Sequence, residues 1–124
     1  MAKVKNISPK DAYAMLKKGA LLVDVRTPRE IAKKAFDTPD VMEIPLGSFE
    51  QRMQEIPAKR KVILACRRGN RSLFAARHLM NNGHRRVFNL EHGIIHWERD
   101  GLPVKSAPKQ NPLSRLLQML GKKA

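Results

Sequence analysis

Three short apolar runs punctuate the chain, at residues 21–25, 61–65 and 87–90. Each is only four or five residues long and apolar almost throughout, the pattern of a strand buried on both faces. Between them the spacing changes to that of helices. Ser8 can cap a first helix with Pro9 at its opening position. Ala12, Met15 and Leu16 share one face of it, and Gly19 stops it. Ser48 can cap a second helix over 49–55, ending before Pro57. A third is expected over 73–80, with Leu73, Ala76, Arg77 and Met80 on one face and Asn81-Asn82-Gly83 as its stop. Gly93 opens a last helix over 94–99, closed by Gly101 and Pro103. Strands alternating with helices predict an α/β domain with a central, mostly parallel β-sheet flanked by helices on both faces.

The pattern changes near residue 105. Residues 105–110 are polar and contain Pro108, which reads as a linker. Beyond it Leu113, Leu116, Leu117 and Leu120 fall at i, i+3, i+4 and i+7, with Arg115, Lys122 and Lys123 around them. The expected organisation is a domain over 1–104, then a basic linker and short amphipathic tail helix over 105–124. At about nine residues that helix is marginal alone. It suits packing on the domain, a partner protein or an anionic membrane.

One stretch concentrates the chemistry. Cys66-Arg67-Arg68-Gly69-Asn70-Arg71-Ser72 lies where the second apolar run hands over to a helix. Open α/β sheets bind ligands at such strand ends. Helix N-terminal amides carry partial positive charge, and Gly69 lets the backbone fold them inward as an anion nest. Three arginines add full charge. Cys66 is therefore expected to be a reactive thiolate in an anion-binding cup, since electropositive surroundings mark reactive cysteines. As the only cysteine of 124 residues it has no intramolecular disulfide partner.

Composition narrows the setting. No apolar leader follows Met1 and no run approaches membrane-spanning length, so a cytoplasmic protein is expected. The net charge is +14, of which +9 falls from Cys66 onward, with 12 Lys and Arg against 3 Asp and Glu. Such a field attracts small sulfur oxyanions, acidic proteins, RNA or an anionic membrane. Aromatic residues make up 5%, so an aliphatic core is expected. His92 and His96 stand four apart without a third ligand at metal spacing, so no metal is expected, and no nucleotide loop suggests a cofactor.

The cysteine loop resembles the active-site loop of the rhodanese family of sulfurtransferases. Three other segments resemble that family in order: 22–30 with its Asp-Val-Arg, 43–46 with its Ile-Pro, and 89–97 with its Gly-x-x-x-Trp. The resemblance implies that Cys66 takes sulfur from thiosulfate or a persulfide donor, holds it as a persulfide and passes it to cyanide or a thiol. It implies that the segment from Arg67 through Gly69 and Asn70 to Arg71 and Ser72 binds substrate, Arg71 closing the loop. It gives Asp24 and Arg26 a mainly structural role. The chain departs from the family over 34–42, where a Gly-His-Ile and a Gly-Ala pair are replaced and about two residues added; Phe36 can still fill the apolar position.

Two other readings use the same residues. Rhodanese-like phosphatases and arsenate reductases place five residues between cysteine and arginine, whereas four lie between Cys66 and Arg71 here. The smaller ring suits a sulfur atom better than a tetrahedral phosphate. The basic surface and tail also suit a sulfur-relay or binding module that docks an acidic protein or RNA.

Overall fold

The computed structural model describes residues 3–106. The expected tail helix lies outside the described residues. In chain order the elements are β1 (Lys5–Ile7), α1 (Pro9–Lys17), β2 (Leu21–Asp24), α2 (Pro28–Lys33), β3 (Lys34–Phe36), β4 (Val41–Glu43), α3 (Phe49–Arg52), β5 (Val62–Ala65), α4 (Asn70–Asn81), β6 (Val87–Leu90), α5 (Gly93–Arg99) and β7 (Val104–Ser106).

Five strands form a parallel sheet in the order β1-β6-β5-β2-β4. The period of two sorts their side chains onto two faces. Leu21, Val23, Val62, Leu64 and Cys66 point to one face, against Phe49 of α3 and Ala75, Ala76 and Leu79 of α4. Leu22, Ile63, Ala65 and Leu90 point to the other, against Ala12 and Leu16 of α1 and Ile94 and Trp97 of α5. The expected parallel sheet with helices on both faces is the fold observed. The second face is more aromatic than the composition suggested: the rings of Tyr13 and Phe36 meet fully buried Trp97 edge-on at 5.6 and 5.3 Å.

The chain reverses its direction of travel across this sheet between β2 and β5. After β2 it moves outward to β4; after β5 it moves the other way, through α4 to β6. The carboxyl ends of β2 and β5 therefore diverge side by side, with Asp24 paired in register with Ala65. Ligands of open α/β sheets gather at such a switch point, and Cys66 is the next residue.

Several local expectations are corrected. The helix over 49–55 is one α-helical turn followed by a tighter 3₁₀ turn (Met53–Glu55), and Ser48 makes no side-chain cap bond. The buried stripe of α4 is Ser72, Ala75, Ala76 and Leu79 rather than Leu73, Ala76, Arg77 and Met80, and Phe74 stands 65% exposed. The small residues let α4 lie close on the sheet, which turns the bulkier ones toward its flanks. The atypical 34–42 stretch contributes β3 and the start of β4, and Phe36 is buried as expected. Lys105 and Ser106, expected to open the linker, complete β7, which pairs antiparallel with β3.

Candidate active site

Cys66 leaves β5 with only 1% of its surface exposed. Its Sγ accepts three hydrogen bonds, from the Gly69 amide at 3.0 Å, the Ser72 amide at 3.4 Å and Ser72 Oγ at 3.3 Å. Gly69 is the N-cap of α4 and has no side chain to offer the first amides. The sulfur does that job, taking up an N–H that the helix cannot satisfy internally. Gly69 sits at φ +101°, and a Cβ there would stand 3.0 Å from the His92 nitrogen. The amides of Gly69 and Ser72, one at the cap and one in the first turn of α4, thus face the sulfur.

The loop is held from behind by the start of α5. The Ile94 amide donates to Cys66 O at 2.9 Å and the Ile95 amide to Arg67 O at 3.3 Å. A trans peptide sets its N–H opposite its C=O, so pinning these carbonyls aims the Arg67 and Arg68 amides away from α5. The approach is close enough that a Cβ on Gly93 would fall 2.3 Å from Arg67 O. His92 precedes it at φ +60°, a left-handed conformation unusual for a residue with a side chain.

Ser72 is buried and bonded on its far side. Its Oγ donates to Asn89 Oδ1. Asn89, 2% exposed, uses its Nδ2 to reach Gly69 O at 3.1 Å and Asn6 Oδ1 at 2.9 Å. One amide side chain thus joins β1, β6 and the cysteine loop. A serine hydroxyl has one proton, and here two acceptors face it. With Cys66 protonated, the chain runs from the thiol to Ser72 Oγ and on to Asn89 Oδ1. With the sulfur negative, the hydroxyl proton is drawn to Sγ instead.

Arg71 does not reach the sulfur by any hydrogen bond. Its guanidinium makes a two-pronged pair with Glu30 of α2, at 2.7 and 2.8 Å. Those bonds hold the Glu30 carboxyl down at about 2 and raise the Arg71 guanidinium above its ordinary value, with Cys66 and Asp24 adding smaller contributions to the latter. Glu30 also closes a capping box with Thr27. Asp24 and Arg26 form a buried pair, Arg26 Nη2 donating to Asp24 Oδ2 at 2.7 Å, and Arg26 Nη1 donates to Lys34 O at 2.9 Å. Arg67, Arg68 and Asn70 are exposed on the outer side of the loop.

A family model described as Rhodanese-like domain matches residues 8–100. The chain belongs to the rhodanese family. A protein named Sulfurtransferase from Allochromatium vinosum is 49% identical over 84 residues, covering 68% of this chain and 77% of the relative. A thiosulfate sulfurtransferase named GlpE, from Actinobacillus pleuropneumoniae, is 32% identical over 103 residues, 82% of this chain and 93% of the relative. Among solved structures, a polysulfide-sulfur transferase homodimer from Wolinella succinogenes superposes with a TM-score of 0.74 at 27% identity, over 82% of this chain and 78% of that one. A rhodanese-related protein from Thermoplasma volcanium gives the same score and identity, over 82% and 97%. By homology this rhodanese domain is of the sulfurtransferase family.

The structure brings Cys66, Gly69 and Ser72 together, and sets Arg71, Asp24 and Arg26 around them in ion pairs. Sequence reading did not single out Glu30, Asn89 or Asn6 as parts of the site. For Glu30 the signal was the Thr27-x-x-Glu30 spacing of a capping box, which pins the side chain near the loop. For Asn89 it was a lone amide inside an otherwise apolar strand. Among the described residues no helix is long and apolar enough to cross a membrane.

Proposed function

We propose that this rhodanese domain moves sulfane sulfur from thiosulfate, or a related sulfur oxyanion or persulfide donor, to a thiol or cyanide through a persulfide on Cys66. The observation that carries the reading is the trio of donors on Cys66 Sγ. As a thiolate, Cys66 attacks the outer sulfur of thiosulfate. The S–S bond of the donor breaks, and sulfite leaves with its electron pair. The negative charge then sits on the outer sulfur of the persulfide. The amides of the loop from Arg67 to Ser72 stabilise it there, the duty of an oxyanion hole. An acceptor thiolate or cyanide attacks that outer sulfur, and Cys66 leaves as a thiolate. This is covalent catalysis of the ping-pong type.

In this reading Arg67 and Arg68 attract the anionic ends of substrates. The Asp24–Arg26 pair and the Glu30–Arg71 pair hold the loop's surroundings rather than touch the sulfur. The ring of four residues between Cys66 and Arg71 gives the sulfur a close cup, which supports sulfur over phosphate as cargo.

Intact-mass measurement after thiosulfate treatment tests this. The wild type should gain one sulfur, about 32 mass units, which cyanide removes, and Cys66→Ser should gain none. No gain from thiosulfate or any persulfide donor would overturn the proposal.

A further inference from the structure

Among the described residues, the buried polar or charged side chains are Asp24, Arg26, Ser72 and Asn89. Asp24 and Arg26 pair with each other, and Ser72 touches the sulfur. Sulfur transfer as written above leaves Asn89 without a duty. A buried amide is costly unless its hydrogen bonds are made, so its placement calls for a reason. Asn89 pairs in register with Leu64 of β5, and its side chain lies on the sheet face that carries Leu64 and Cys66.

The Asn89 amide is held one way round. Its Nδ2 donates to Gly69 O at 3.1 Å and to Asn6 Oδ1 at 2.9 Å. Gly69 O can only accept, so a flipped amide would set two oxygens against each other. Oδ1 is thereby fixed toward Ser72 Oγ, and that hydroxyl is its one donor among the described residues. The two states of the sulfur make different use of the hydroxyl. As a thiolate, Sγ carries the charge and draws the Oγ proton, which leaves Oδ1 buried without a donor. In the persulfide the charge has moved to the outer sulfur. Sγ is then a neutral bridging atom and a weak acceptor, as a thioether is. The hydroxyl turns back to Asn89.

We infer that Asn89 is a positioning residue which, through Ser72, tilts Cys66 from the thiolate toward the persulfide. The inference rests on the sulfurtransferase reading and adds to it a residue that touches no substrate. In loading, Sγ forms a bond to the outer sulfur of thiosulfate, the donor's S–S bond breaks, and sulfite leaves with the electron pair. The Ser72 proton stays on Oγ throughout and only swings from Sγ to Oδ1. Asn89 assists loading, because it regains its donor. It resists discharge, because the departing thiolate takes that donor away again. A domain biased in this way holds its sulfur until an acceptor removes it.

The test uses the full chain as wild type, Asn89→Ala, Ser72→Ala and the double variant. Each is equilibrated with thiosulfate and sulfite at one fixed ratio, and intact mass gives the ratio of persulfide to free protein. In Asn89→Ala that ratio should fall about fivefold, the net worth of one ordinary hydrogen bond. The separate half-reactions should share the change with opposite signs: slower loading from thiosulfate, faster discharge to cyanide. A merely loosened site slows both, and that result, or an unchanged ratio, would overturn the inference. Because Asn89 acts through one hydroxyl, adding Asn89→Ala to Ser72→Ala should move the ratio by less than about twofold. A full fivefold fall in that background would also overturn it. Should Asn89→Ala not fold, Asn6→Ala decides, since it removes one anchor of the amide from an exposed position. The ratio should then fall roughly twofold, the low end for a hydrogen bond, and no fall rejects the inference. A wild type that takes no sulfur from any donor brings down the transfer reading and this one with it. A wild type that loads beside a variant that loads equally removes Asn89 alone.

Discussion

Ser72 has one proton and two claimants for it, and that competition shapes the chemistry at the residue scale. The hydroxyl gains most by turning to sulfur when the sulfur is negative, at the expense of its bond to Asn89 Oδ1. Ser72→Ala leaves the two backbone amides in place and removes the third donor. Thiosulfate-to-cyanide kcat should fall roughly tenfold, less than a backbone oxyanion donor commands because the contact is long. A kcat within twofold of wild type in steady-state assays would remove the hydroxyl from the chemistry. Asn89→Ala acts differently, because it removes a donor from Gly69 O, which keeps only the Leu73 amide at 3.3 Å, and an acceptor from buried Ser72 Oγ. A lost buried hydrogen bond costs about 1 kcal/mol, which urea unfolding should show.

At the scale of elements, the loop is pressed between α4, which it caps, and α5, which backs it. Gly93→Ala would drive a methyl into the Arg67 carbonyl at a φ of +62°. The loop or α5 must shift, and core overpacking of this kind costs about 1–3 kcal/mol or more. Loss of sulfur transfer should accompany the loss in unfolding free energy; a fully active, equally stable variant would contradict the close approach. The tie between α2 and α4 carries a pH signature. Glu30 titrates at about 2 in the fold against an ordinary 4.5. A lowered folded value means that stabilisation is complete above about pH 4.5 and is lost as pH falls toward 2. Both partners are about one-third exposed, so the pair is worth about 1 kcal/mol at most. Glu30→Gln should be less stable than wild type by that amount near neutrality, and the gap should close between pH 4.5 and 2 in urea titrations.

What was legible in the chain follows from the same scale. β2, β5 and β6 are buried on both faces, so their apolar runs declare them, and α1 carries its own cap and proline. β1 was not legible because only Ile7 of its three residues is buried. β3 and β7 pair across some seventy residues of chain, and neither carries the pattern of an interior strand. The site was legible where chemistry is local, in Cys66, Gly69 and Ser72. It was not where partners arrive from far along the chain, as Asn6, Glu30 and Asn89 do. A polar residue in a strand reads as noise until the fold shows what it joins.

For the whole molecule, charge is the dominant surface property. A net +14 draws anions from a distance, and salt screens that attraction beyond a Debye length. The kcat/KM for thiosulfate should drop several-fold when salt rises from about 10 mM to about 300 mM, with kcat changing less. A salt-independent kcat/KM would mean that capture depends on contacts within the cup alone.

The small β3–β7 ribbon has a mechanical consequence. Ser106 is the last residue of β7 and sits opposite Lys34, whose carbonyl holds the outer nitrogen of Arg26. Tension applied to the chain beyond Ser106 would peel the ribbon one residue pair at a time, and that pair bears the load first. The buried Asp24–Arg26 clasp beside the cysteine loop would feel the pull before Trp97, whose indole nitrogen grips Pro103 O at the ribbon's other end. A tug on the downstream chain is thus delivered to the scaffold of the sulfur cup before it reaches the core.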